Sequence, residues 1–84
     1  MNRNCLAQAF TCAGLAIDAL TARGFTVISV VIRDSAPRIH IARHTLCEHL
    51  IQNGKASYRH LSRYSRQGWF THHGCQVYWS ESLH

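Results

Sequence analysis

The sequence predicts an α+β domain, an N-terminal amphipathic helix packed on a four- or five-stranded, mainly antiparallel sheet, with a short helix or loop near residues 43–52. Three observations carry that expectation. Apolar residues recur at helical spacing up to Gly24, β-branched residues take over directly after it, and apolar and polar residues alternate in Pro37–Ala42 and again in Cys75–Trp79.

In the helix, Leu6, Phe10, Ala13, Ile17 and Leu20 follow one another at intervals of four, three, four and three residues and so share one face, while Gln8, Thr11 and Asp18 lie opposite. Asn4 is suited to cap its start, since its side-chain oxygen can accept from a free amide of the first turn. Arg23 and Gly24 suit its end, the glycine because the terminating residue is commonly left-handed. From Phe25 to Ile32 the residues are β-branched and apolar on both alternating sides, the pattern of a strand with neighbours and cover rather than of an edge. Asp34-Ser-Ala-Pro37 is turn chemistry, so a hairpin leads into Pro37–Ala42, with Ile39 and Ile41 on one face and Arg38, His40 and Ala42 on the other. The Leu6 to Leu20 stripe is expected to pack on the hairpin's apolar face. Gly14 costs about 1 kcal/mol of helix propensity relative to alanine, which a close approach of helix to sheet would explain.

His44 to Ile51 suggests a short helix, with Leu46 and Leu50 four apart and Asn53-Gly54 to end it. Lys55 to Arg66 reads in two ways. As a helix it lines up Lys55, Arg59, Arg63 and Arg66; as a strand it sets Arg59, Leu61 and Arg63 against Tyr58, His60 and Tyr64. The strand is favoured, because a hairpin through Ser65-Arg-Gln-Gly68 would lead at once into Trp69-Phe70-Thr71. After a turn at His73-Gly74, Cys75, Val77 and Trp79 alternate with Gln76 and Tyr78 in a final strand.

The chain of 84 residues is expected to form one domain, 1–84, whose small core makes homodimerisation a reasonable stabiliser. No window approaches the roughly 18 apolar residues of a membrane span, and no secretion signal is evident at the N-terminus. The expectation is a cytoplasmic protein with reduced thiols and no membrane partner. The net charge of +5 is uneven: residues 1–32 hold two arginines and one aspartate, residues 33–84 seven basic and three acidic groups. An acidic partner would therefore meet the second half.

Cysteine (four) and histidine (seven) are abundant, with His40, His44, Cys47 and His49 in one cluster and His72, His73 and Cys75 in another. A structural zinc would join His44 or His49 and Cys47 to His73 and Cys75, but these spacings form no paired Cys-x-x-Cys pattern, so no metal or other cofactor is expected. The alternative is that both cysteines are buried packing residues and the histidines occupy turns and solvated faces. Cys5 and Cys12 sit seven apart on a helix, about 10 Å, too far for a disulfide. Cys47 or Cys75 with His73 offers a nucleophile and a base without an orienting third group. The only carboxylates, Asp18, Asp34, Glu48 and Glu81, form no sequence-local pair for acid/base or magnesium chemistry, and no phosphate-binding glycine loop is present. No enzyme activity is expected.

The basic and aromatic residues make the stronger case. Arg38, Tyr58, Arg59, Arg63, Tyr64, Arg66, Trp69 and Tyr78 are the candidate binding residues. They suit a sheet face where cations hold phosphates and rings stack bases, and equally a protein–protein hot spot. A third reading makes Trp69, Phe70 and Trp79 core and leaves the arginines on a solvated face.

Arg23-Gly-Phe-Thr-Val27, Pro37-Arg-Ile39 and Gly74-Cys-Gln-Val-Tyr-Trp79 resemble pieces of small accessory proteins encoded by bacteriophages and prophages. The resemblance implies a bacterial cytosolic protein that binds and modulates a host component, such as a nuclease or a defence complex. It carries no functional residue across. The basic charge departs from the acidic, DNA-mimicking type of inhibitor. Together these readings point to a non-enzymatic interaction module with a host protein or protein complex as partner; the alternative is a small basic nucleic-acid-binding domain, and then a zinc-binding module.

Overall fold

The computed structural model describes residues 5–83. Helix α1 (Cys5–Ala22) leads to strands β1 (Val27–Arg33) and β2 (Ala36–Ile41), helix α2 (Thr45–Gln52), and strands β3 (Ser57–Ser62), β4 (Ser65–His72) and β5 (Cys75–Ser82). The five strands form one sheet in the order β1-β2-β5-β4-β3. The α+β class, the helix-first order and the short second helix agree with the sequence. Every neighbouring pair is antiparallel except β2 and β5, which run parallel with Ile39 opposite Val77 and His40 opposite Tyr78. The last strand thus lies at the centre of the sheet.

Both helices end through the same backbone device. At α1 the Phe25 amide donates to the Leu20 carbonyl and the Gly24 amide to that of Thr21, with Gly24 at φ 102°. At α2 the Lys55 amide reaches Leu50 and the Gly54 amide Ile51, with Gly54 at φ 72°. These are Schellman closures, which need a residue in the left-handed region. The expected Asn4 cap lies outside the described residues.

The core occupies one side of the sheet. Pro37, Ile39 and Ile41 of β2, Cys75, Val77 and Trp79 of β5, and Gly68 and Phe70 of β4 are buried there. α1 packs over β1, β2 and β5, and α2 adds Cys47 and Leu50 to the same cluster. The helix face that packs keeps Ala13, Ile17 and Leu20 of the expected stripe but not its first two members. Ala9, Ala13, Ala16 and Leu20 are buried, with Cys12 and Ile17 partly so, whereas Leu6 and Phe10 are exposed. Small alanines let the backbone approach the sheet, and Leu6 and Phe10 turn to the side. Gly14 takes no part in that approach, since it is exposed and a Cβ built on it would meet no atom of the described residues within 4 Å.

β1 departs from expectation too, because it is an edge strand. Its Ile28 sits at a bulge in the β1–β2 register and is exposed, while Val30 and Ile32 turn toward α1. Its dense apolar sequence is therefore only partly spent on the core. The ambiguous segment is a strand, but its hairpin turns at Arg63-Tyr64, and Ser65 to Gly68 belong to β4. Gly68 serves a flat strand instead of a turn: it lies opposite Trp79, and a Cβ there would overlap the indole.

Trp79 is fully buried, so the indole has little room to yield. Gly68→Ala should destabilise the domain by about 2 kcal/mol, the usual scale of overpacking, measured as a lower midpoint in urea with an unchanged slope.

Candidate functional site

The side of the sheet away from the helices is uncovered, and strand alternation delivers its side chains. Register sets Ser29, His40, Tyr78, Trp69 and Ser57 in one row across all five strands. A second row runs Val31, Arg38, Gln76 and Thr71, and a third Ser80, Gln67 and Arg59. None of these residues is buried.

His40 and Tyr78 stack with centroids 4.7 Å apart and planes 4° from parallel. That distance is about one strand spacing, so the rings stand upright and side by side. The Arg38 guanidinium lies 5.0 Å from the Tyr78 centroid. Serines end the row, Ser29 beside His40 and Ser57 beside Trp69.

The other side of β3, β4 and β5 holds a different cluster around Glu81, whose side chain is 8% exposed. Trp79 Nε1 donates to Oε2 at 2.7 Å and Tyr58 Oη to the same oxygen at 3.1 Å. Arg66 donates to Oε1 through Nε at 3.0 Å, its Nη2 lies 2.9 Å from the same oxygen as an ion pair, and its guanidinium covers the Tyr58 ring at 3.6 Å. Arg43 stands 3.5 Å from Oε2 and pairs with Glu48 at 2.7 Å. Burial pushes the Glu81 carboxyl up, yet the hydrogen bonds from Trp79, Arg66 and Tyr58 outweigh it and hold the group below the usual range. Burial, then the bond to Glu81, raises the Tyr58 phenol.

The candidate binding residues are thereby sorted. Arg38, Arg59, Trp69 and Tyr78 all lie on the open face, with Arg38 against Tyr78, while Tyr58 and Arg66 are committed to Glu81. Arg63 and Tyr64 form the β3–β4 turn, with the Arg63 guanidinium 5.9 Å from the Tyr64 centroid and the Tyr64 ring exposed. Of the three aromatic core candidates Phe70 and Trp79 are buried, and Trp69 is half-buried on the open face. His40 was missed, although its alternation with Arg38 placed it on the same face; its partner Tyr78 could not be known without the parallel pairing. Glu81 was missed as well, although it follows Trp79 by two residues and so shares its side of the strand.

The carboxylates avoid the open face. Asp18 lies on α1, Asp34 in the β1–β2 turn, Glu48 on α2 and Glu81 on the core side. Among the described residues no ion pair involves Arg33, Arg38 or Arg59, the cations this face carries.

The cysteine and histidine candidates are used separately. His44 caps α2, its Nδ1 accepting from the Leu46 amide, and His73 occupies the β4–β5 turn. Burial pushes up the Cys47 and Cys75 thiols, which therefore stay protonated at neutral pH. Among the described residues no three His, Cys, Asp or Glu side chains gather closely enough to share a metal ion. No helix among them is long and apolar enough to cross a membrane.

No family model, curated protein or solved structure matches the chain.

Because the folded Glu81 carboxyl titrates below its unfolded counterpart, its stabilisation is complete above the usual carboxylate range and is lost as pH falls through the folded pKa. Glu81→Gln should lower stability at neutral pH by about 2 kcal/mol. It should also flatten the acid side of the stability curve, followed by urea unfolding at a series of pH values.

Proposed function

We propose that the chain is a non-enzymatic binding module whose open sheet face takes single-stranded nucleic acid. The observation that carries this reading is the row His40, Tyr78 and Trp69, flanked by Arg38 and Arg59 on a face without carboxylates. Upright rings with small serines at the ends of the row give a base a place to extend the stack, and unpaired guanidinium groups give its phosphates a counterion. Bases stack on aromatic rings with little regard to sequence, so the reading implies broad recognition. Free, buried thiols at Cys47 and Cys75 fit a reducing compartment, and we place the protein in a cytosol.

A protein partner is the second reading, in the sense of a phage or prophage accessory protein acting on a host nuclease or defence complex. Leu61 and Tyr64, exposed with Arg63 at the β3–β4 turn, favour it, because exposed aromatic and arginine side chains are enriched where interfaces concentrate their energy.

Fluorescence anisotropy with short labelled single strands tests the first reading. Affinity should fall steeply with salt, and Arg38→Ala and Arg59→Ala should each reduce the salt slope by about 0.7. Trp69→Ala should cost about 1–3 kcal/mol of binding and leave the slope alone. Absence of binding at low salt would sink the nucleic-acid reading. Capture of a protein that depends on Tyr64 but not on Arg38 or Arg59 would favour the second.

A further inference from the structure

β1 leaves a free edge on one side of the sheet, and α1 runs beside it. Together they display apolar surface that the described residues leave exposed. Phe10 is 62% exposed, and Ile28 and Val31 are exposed as well. Between helix and strand lies a groove of about 520 Å³ lined by Phe10, Ala13, Gly14, Ile17, Val30 and Ile32. Among the described residues no atom lies within 4 Å of a Cβ built on Gly14. The helix therefore bears the propensity cost of a glycine for a gap left open on the groove floor.

Charge separates this region from the rest. α1 and β1 contain one aspartate, Asp18, and one arginine, Arg33, whereas the chain as a whole carries +5. Two copies approaching through this neutral side meet the least repulsion. Edge strands in monomers are commonly blunted by charges, and β1 has a charge only at its end and a bulge only at its start, so Ser29 to Arg33 remain regular. A knob, Phe10, and a groove lie on one patch, the self-complementarity that a two-fold axis requires.

We propose that the protein forms a two-fold dimer in which β1 pairs antiparallel with β1 of a second copy and each Phe10 ring enters the other copy's groove over Gly14. The two five-stranded sheets become one continuous sheet, with both α1 helices on one side and both open faces on the other. This inference is independent of what the open face binds.

Sedimentation velocity over a concentration series tests it. The expected species has twice the 9.6 kDa mass of one chain. Phe10→Asp, at an exposed site, should weaken the dimer about tenfold or more with the circular dichroism spectrum retained. Gly14→Gln should weaken it comparably by filling the groove, yet raise the melting temperature in the Phe10→Asp background, because glutamine is the better helix former. Three results would overturn the proposal: a monomer at every concentration, a monomer whose groove takes a different protein, or a dimer indifferent to both variants and broken by Leu61→Asp at the β3 edge.

Discussion

Trp79 can be buried only because Gly68, directly across the β4–β5 ladder, has no side chain, and because Glu81, two residues on along the same strand, accepts the indole N–H. Much of the rest depends on that arrangement. The indole packs near Phe70 and meets Tyr58 edge-on, so it ties β3 and β4 to β5. The carboxylate it requires is nearly enclosed, and an enclosed anion needs charged partners. Arg66 supplies a hydrogen bond and an ion pair from β4, and Arg43, just ahead of α2, adds charge and passes the linkage on to Glu48. A single buried ring thereby sets the positions of two arginines and a tyrosine.

The same arrangement explains how the two sides of the sheet differ. Carboxylates are few, and Glu48 and Glu81 are engaged on the helix side, where they hold Arg43 and Arg66. Among the described residues no ion pair engages Arg38 or Arg59. One face is consequently internally compensated and structural, and the other is cationic with its rings half-exposed. The charge of the open face is set as much by where the acids are spent as by where the basic residues occur.

Local patterns made much of this legible. Ile39 with Ile41, and Cys75 with Val77 and Trp79, are buried where alternation placed them, and Gly24 ends α1 as its position suggested. What failed was partnership. Leu6 and Phe10 have helical spacing identical to that of a core stripe, and only the sheet's demand for close approach decides that Ala9, Ala13 and Ala16 face inward. β1 reads as a covered strand because its sequence is apolar on both sides, yet it lies at an edge. Gly68 resembles a turn residue because the indole that needs its bare backbone lies eleven positions away. Periodicity records which way a side chain points, and it is silent on which strand stands beside it. The stack of His40 on Tyr78 depends on a parallel pairing between distant segments, so no local signal could reveal it.

The central place of β5 bears on how the domain is made. The β1–β2 and β3–β4 hairpins share no ladder, and each joins the sheet only through β5. During vectorial synthesis both hairpins leave the ribosome before the strand that unites them, each presenting an inner edge to solvent and to the other. Native closure must await the final strand, and premature pairing of β2 with β4 would have to be undone to admit it. Such a chain gains from a slow commitment to sheet structure, and α1 and α2, whose hydrogen bonds are local, are the elements that can form while the strands wait.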